Sequence, residues 1–488
     1  MSPPMITLSV IDSALILLFL AAVVVVGFFA GRKTSSRQAD YLLAGRSLTL
    51  PIFVMTLVST WYGGILGVGE FSYLYGISNW VVMGVPYYIF AALFAFLLAK
   101  KIRSTNLYSI PDKLHQSYDK RTAVLGSILI FVLMTPAPYI LMFAVMFKLL
   151  FGWSLEVSIL VTAVAGLSYL YIGGFRSDIA TDVLEFFLMF VGFAVIVPFA
   201  AAHFGGFDFL KHSLPPLHLA WHGGHSAQFI IVWFFIALWT LVDPAFHQRC
   251  YAAKDGATAR KGILVSIVFW FVFDFLTATA GLYARAVLPN LDQPMLAYPM
   301  LAEVVLPIGA KGLFYIGMLA TMMSTMNTLG FVSAQTLGRD IMMRLKLRDW
   351  KTEGSSLTPS LAGQSPNWVE ESAAKYTKLG LILSFILSVA IALMLPSVIK
   401  IWYTIGTVVI PGLLVPLVAS YFDRLTIPPR YAFLSMTAGW MTSLLWLLLG
   451  YLLGEQGHVQ YLWGIEPMYP GLAFSLLLWG IGRWSKRG

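Results

Sequence analysis

The sequence predicts an all-α polytopic membrane protein with about 13 transmembrane helices. Three observations predict it. Apolar runs long enough to cross a bilayer recur along the whole chain. Only 11% of the 488 residues are charged, against about a quarter in soluble domains, and the mean hydropathy is +0.78. Basic residues fall on alternate loops.

Taken in order, the expected spans are residues 9–31, 49–76, 80–99, 123–148, 154–173, 181–202, 226–245, 262–284, 310–337, 377–397, 401–421, 428–453 and 468–482. The first holds no charge from Ser13 to Gly31, and no basic segment precedes it, so it reads as a retained helix and not a signal peptide. With the N-terminus outside, all but five of the 32 Lys and Arg residues fall on inner loops or at inner helix ends. The five are Lys148, Lys211, Arg285, Lys311 and Lys400. This places the C-terminus in the cytoplasm and the chain in a plasma or bacterial inner membrane. The net charge of +9 is then topology, not a nucleic-acid footprint. The expected organisation is an N-terminal helix and inner loop (1–48), a first five-span unit (49–203), a second (226–424) and two C-terminal helices (425–488). Within the second unit, 343–375 is expected as a cytoplasmic linker around the Ser/Pro/Gly-rich "KTEGSSLTPSLAGQSPNWVEES" (351–372). A single cysteine, Cys250, excludes an intrachain disulfide. No GxxxxGK[ST] loop points to an ATP-driven pump, and no organic cofactor or obligatory protein partner is expected. His203, His212, His218, His222 and His225 cluster before the seventh span, where a solvated loop is expected because a usual metal-ligand set is incomplete.

Two spans are interrupted. "STWYGGILGVGEF" (59–71) sets four glycines in mid-span and follows them with Glu70. Freed backbone groups are tolerated in a bilayer only where they line a cavity, although glycines also serve close helix packing. "ALWTLVDPAFHQR" (237–249) carries Asp243–Pro244, and a proline there removes a backbone donor. The two interrupted spans are the second and the seventh, so they cross in opposite directions. Spans 2–6 and 7–11 therefore form an inverted pair, each opening with a broken helix, as in secondary transporters.

Four further segments, in order, resemble the sodium:solute symporter family: "DYLLAGRSL" (40–48), "GGFRSDIATDVLEFFLMFVG" (173–192), "HQRCYAAKD" (247–255) and "GLFYIGMLATMMSTMNTLGFVSAQTLGRDI" (312–341). The resemblance implies a leucine-transporter-like 5+5 inverted-repeat core with two broken helices, sodium as coupling ion, and import of a small organic solute by alternating access. It implies a sodium site built from the carbonyls of Leu57, Thr60 and Thr321 and the hydroxyls of Ser324 and Thr325. The chemistry agrees, because a hard cation wants several oxygens and this pair follows Thr321 by one helical turn. Ser and Thr bonding back to their own helix is the plainer alternative. A second sodium, where it exists in the family, would use Asp182, Asn327 and Thr328 beside Ser324; Asn327 departs from the usual hydroxyl, so that site stays open.

The resemblance also places a central cavity between the broken helices. Positions matching the sugar ligands of sodium–sugar members are here Gly64, Met83, Pro86, Ile236 and Trp270, which offer too few polar groups for a sugar. Trp239 matches an aromatic gate, with Thr240 and Asp243 following on the break. Asp274 lies mid-span and is expected to face the cavity or a partner, and Glu70 to meet an incoming cation or interfacial water. If both acids line the path, an amine-bearing solute follows. Glu185 is expected either near this site or facing an inner vestibule. Proton coupling through Asp182 or Asp274 is the alternative within transport. A sensor, or a membrane enzyme using His247 with Asp243, is the alternative outside it, and the missing nucleophile disfavours the enzyme.

Overall fold

A computed structural model describes residues 6–35, 37–346, 366–394, 398–454 and 459–486. Its main helices are α1 (Val10–Gly31), α2 (Leu50–Trp61), α3 (Ile65–Tyr75), α4 (Trp80–Ser104), α5 (Ile110–Ser117), α6 (Lys120–Phe151), α7 (Leu155–Gly173), α8 (Phe175–Phe204), α9 (Ala227–Ile236), α10 (Pro244–Ala252), α11 (Gly256–Val287), α12 (Ala310–Gln335), α13 (Pro366–Met394), α14 (Val398–Ser420), α15 (Pro429–Leu453) and α16 (Met468–Ser485). Ten helical segments among the described residues are long and apolar enough to cross a membrane, or eleven when the bent pair α2–α3 counts as one. α12 and α16 complete the thirteen expected segments without meeting that apolar criterion. For α12 the reason is chemical: it is long enough, but it carries Thr321, Ser324, Thr325, Asn327 and Thr328.

α12 is the axis of the bundle, buried along nearly its whole length. It lies closest to α8, where two glycines face each other; a Cβ on Gly192 would stand 2.8 Å from the Cα of Gly317. Such small residues let membrane helices approach without an intervening side chain. α1 is tied to the start of α12 by Asp12, which closes a capping box with Ser9. The Asp12 carboxylate also accepts from the backbone N–H groups of Gly309 and Gly312, both at 2.8 Å. An acid at the head of an apolar helix is thus satisfied by the free donors of its neighbour's first turn.

The two interruptions differ. α2 and α3 bend by 60° at Tyr62–Gly64. The seventh span, Ala227–Ala252, keeps its overall direction, yet its helix stops at Ile236, Asp243 is extended (φ −66°, ψ 115°) and Pro244 opens α10. A residue before proline is pushed out of the helical region, and proline suits the first turn because no donor is needed there. The linker expected at 343–375 falls largely outside the described residues, although α13 already begins at Pro366.

α5 closes over the chain that follows α12 through a buried ion network. Asp112 bonds Arg339 at 2.9 Å and Arg344 at 2.6 Å, and Asp340 bonds Arg339 at 2.5 Å.

Candidate functional site

The break in the second span, between α2 and α3, is where the glycines are needed. α2 ends at Trp61, and the next two glycines stand against α12 and α14 with no room for a side chain. A Cβ at Gly63 would lie 2.3 Å from Thr325, and one at Gly64 would lie 2.2 Å from Trp402. The Thr325 hydroxyl can therefore reach the end of α2. It donates to the Thr60 carbonyl at 2.6 Å and lies 3.2 Å from the Thr321 carbonyl. Thr60, Thr321 and Thr325 thus meet at one point between α2 and α12, and Leu57 stands one turn earlier on α2. Ser324 turns the other way: its hydroxyl donates to Asp182 at 2.6 Å and lies 3.0 Å from the Ser59 hydroxyl.

A second polar cluster adjoins this point, entirely buried. Asp178, Asp182 and Glu185 lie on successive turns of α8, none with any exposure. Thr328 donates to Asp178 at 2.8 Å, and Asn327 donates to Tyr169. Into the cluster comes Arg249 from α10. Its Nη2 donates to Thr60 Oγ1 at 2.6 Å, to Thr328 Oγ1 at 3.0 Å and to Asp182 Oδ2 at 3.1 Å. Both side chains of the Arg249–Asp182 pair are 0% exposed. Glu185 does not face an inner vestibule; it is buried with neither carboxylate oxygen bonded.

Above the break lies a cavity of about 170 Å³. Of the sequence candidates, Leu57, Thr60, Gly64, Met83, Trp239, Asp243, Asp274 and Thr325 line it, as does Ile236. Glu70 is half-buried on α3, outside the lining, and Thr240 is buried below Trp239. Asp182, Asn327 and Thr328 belong to the cluster behind the cavity. Asp243 uses one carboxylate oxygen to cap α10, accepting from Ala245 N at 2.7 Å and Phe246 N at 3.3 Å. Asp274 accepts from the Tyr88 hydroxyl, which itself accepts from Trp80 Nε1 at 3.1 Å. The His247 ring lies 2.9 Å from the backbone carbonyl of Asp243, not from its carboxylate, so the two do not form a catalytic pair.

Sequence reasoning missed the aromatic wall of this cavity: Trp61, Tyr87, Tyr139, Trp233, Trp402 and Tyr403 join Trp239 around it. It also gave Arg249 no role. The only signal for Arg249 was a basic residue six positions after Asp243, near the inner end of an apolar span, where positive-inside bias already explains a charge. Of the outer-loop histidines, His218 is buried, its Nε2 3.0 Å from the Tyr73 carbonyl, and burial holds it below its ordinary pKa. Among the described residues no group of His, Cys, Asp and Glu could hold a metal ion.

A bundle of membrane-spanning helices with a bent span, bare glycine backbone and converging oxygens at mid-depth defines the class of secondary transporters. Solved structures agree on the fold. A Na+-coupled sialic acid symporter in a substrate-bound outward-open state superposes with a TM-score of 0.78 at 15% identity, covering 98% of both chains. A nucleobase-cation-symport-1 family transporter superposes with a TM-score of 0.58 at 13% identity, covering 92% of this chain and 95% of that one. The model of the sodium:solute symporter family matches residues 41–360, and the chain belongs to that family. It is 25% identical over 346 residues to the sodium/pantothenate symporter of Escherichia coli (strain K12), covering 67% of this chain and 71% of the relative. It is 27% identical over 212 residues to the high-affinity choline transporter 1 of Caenorhabditis elegans, covering 41% of this chain and 37% of the relative.

Proposed function

We propose that this protein is a sodium-coupled symporter that imports a small, cationic, amine-bearing organic solute by alternating access. The observation that carries the sodium reading is the Thr325 hydroxyl bridging the Thr60 carbonyl at the glycine break and the Thr321 carbonyl on α12. With the Leu57 carbonyl, and with the Ser324 hydroxyl once it rotates away from Asp182, this would supply the all-oxygen set that a hard cation needs. The ion would join α2 of the first repeat to α12 of the second. Its affinity then differs between states in which those helices approach or part, and that difference is what couples ion to solute.

The solute reading rests on the cavity. Two acids, Asp243 and Asp274, line it, and among the described residues no Lys, Arg or His does. A carboxylate solute such as pantothenate would meet like charge there. An ammonium group would meet opposite charge and a wall of Trp and Tyr faces, the surroundings that hold quaternary ammonium ions through cation–π attraction. The relatives transport solutes of both kinds by name, and the charge of this cavity favours the cationic one. The N-terminus outside and C-terminus inside, as the basic loops imply, complete the reading.

The test is the melting temperature of the purified protein with a library of amines, quaternary ammonium compounds, sugars and carboxylates, in sodium chloride and in potassium chloride. A ligand that binds only the folded state raises its stability. Stabilisation by an ammonium solute only when sodium is present, abolished in Thr325→Val, supports the proposal. Stabilisation by a carboxylate, or indifference to sodium, refutes it.

A further inference from the structure

We infer that a groove behind α12 is a binding site for one zwitterionic glycerophospholipid, with an acyl chain in the groove, an ester carbonyl on Thr162 and the headgroup on Lys148 and Glu156. The groove is a cavity of about 290 Å³ between α1, α6, α7 and α12, and it shares no lining residue with the solute cavity. Leu17 of α1 and Val161 of α7 border it and are 57% and 38% exposed, so it opens sideways, where a bilayer offers hydrocarbon. One wall is a row of rings, with 4.9 Å between the centroids of Phe143 and Phe147 and 5.7 Å between those of Phe147 and Trp153. From Phe143 to Phe151 that wall follows α6 for about 12 Å. The α12 side is made by Met323 and Met326, on either side of Ser324 and Thr325, and methionine adapts its shape to what it packs against. A seated chain therefore touches the back of the helix that carries the candidate ion hydroxyls.

Thr162 marks the groove as a site for more than hydrocarbon. It lines the groove and is 0% exposed, yet among the described residues its hydroxyl has no partner. Other hydroxyls of α7 bond back along the chain, Ser158 to the Ser154 carbonyl at 2.9 Å and Ser168 to the Ala165 carbonyl at 2.7 Å, as Ser and Thr in helices do. A buried hydroxyl left without an acceptor is costly, and a hydrocarbon tail supplies none, whereas an ester carbonyl does. The end of the groove completes the match. Trp153 lies there, Lys148 is exposed between Phe147 and Phe151, and Glu156 is exposed in the first turn of α7, close enough for the two charges to act on each other. Trp and a basic side chain at a helix end belong to the membrane–water interface. A phosphate there meets Lys148, and a neighbouring ammonium meets Glu156. Thr162 follows Glu156 by about 9 Å of helix, in the direction in which ester carbonyls follow a phosphate. A lipid with an anionic headgroup lacks the ammonium and would set like charge against Glu156.

The experiment follows the melting temperature of the purified full-length protein in detergent as phospholipid is added, without sodium or solute, so it does not depend on the transport reading. Three lipids are compared: dioleoyl phosphatidylethanolamine, its ether-linked analogue, which lacks the ester carbonyl, and dioleoyl phosphatidylglycerol, which lacks the ammonium. A lipid that binds only the folded state raises its stability. Wild type is expected to be stabilised saturably by the ester phosphatidylethanolamine. The ether analogue should need about two- to tenfold more for half the effect, the worth of one hydrogen bond, and phosphatidylglycerol should also need more. Thr162→Val should respond alike to ester and ether lipids, which a merely greasy groove would not predict. Lys148→Ala should weaken the response about fivefold. Ala165→Phe, which fills the groove, should abolish it. No saturable response in wild type, an ester preference that is absent there or survives in Thr162→Val, or phosphatidylglycerol binding as well as phosphatidylethanolamine each overturns the inference, as does a full response in folded Ala165→Phe. If Ala165→Phe does not fold, Thr162→Val, which keeps the side-chain shape, decides.

Discussion

Gly63→Ala tests the glycine break with the smallest possible perturbation, one methyl group. Its Cβ would stand 2.3 Å from both Cβ and Oγ1 of Thr325 and 2.6 Å from Tyr139 Cε1, whereas ordinary contact begins at 3.4 Å. Thr325 must therefore retreat by about 1 Å, which takes its 2.6 Å bond to the Thr60 carbonyl beyond hydrogen-bonding range. Overpacking of this kind costs about 1–3 kcal/mol. The ion-bound arrangement needs Thr325 in place, so that cost falls on sodium binding and weakens it by about 5- to 150-fold. The assay is the sodium concentration that half-saturates the rise in melting temperature, read against wild type. An unchanged half-saturation in a folded Gly63→Ala protein would show that the glycine does not set the ion site, and the argument from the break would fail.

Other perturbations separate the parts of the site. Gly64→Ala places its methyl 2.2 Å from Trp402 on the cavity side, so solute-dependent stabilisation should fall while the sodium response stays near wild type. Asp243→Asn removes a cavity charge but keeps an oxygen to cap α10; ammonium solutes should lose about tenfold or more in apparent affinity, with the difference between ammonium and neutral analogues reading the charge itself. Asp112→Asn breaks the carboxylate that Arg339 and Arg344 share and should destabilise the protein by about 3–5 kcal/mol, seen as a large drop in melting temperature. His115, beside Arg344, is held down to about 4 by burial and then by that guanidinium. A histidine kept neutral in the fold but protonated when unfolded loses its stabilising share as pH falls from about 6.5 toward 4. The melting temperature should decline across that window, and His115→Gln should shallow the decline.

Much of the fold was legible because its signals are local. Apolar runs gave the spans, four glycines and an Asp–Pro pair gave the interruptions, and adjacent hydroxyls one turn after Thr321 marked the polar, buried helix α12. The least apolar span, α12, was still readable because its polar residues recur at helical spacing, and the structure buries them all. What could not be read are contacts between distant segments. Trp402 and Tyr403 reach the cavity from α14, more than three hundred residues from Gly64, which Trp402 faces, and nothing in their own neighbourhood distinguishes them from aromatics that merely pack. Arg249 was hidden by the charge bias from which a topology is expected, since a basic residue at a helix end needs no further cause under that bias. For Glu185 the sequence left two placements open, beside Asp182 or in a vestibule, because an acid is costly to bury; the structure buries it one turn from Asp182. The second interruption was legible from the Asp–Pro pair: the helix stops at Ile236, runs again over Trp239–Val242 and stops once more at the extended Asp243 before Pro244 opens α10.

The measurement that bears most directly on sodium coupling is uptake into potassium-loaded proteoliposomes of whichever radiolabelled ammonium solute stabilises the purified protein. The account predicts accumulation above the external concentration only under an inward sodium gradient, and none with Thr325→Val. Equal uptake in sodium and potassium, or accumulation that survives in Thr325→Val, would contradict it.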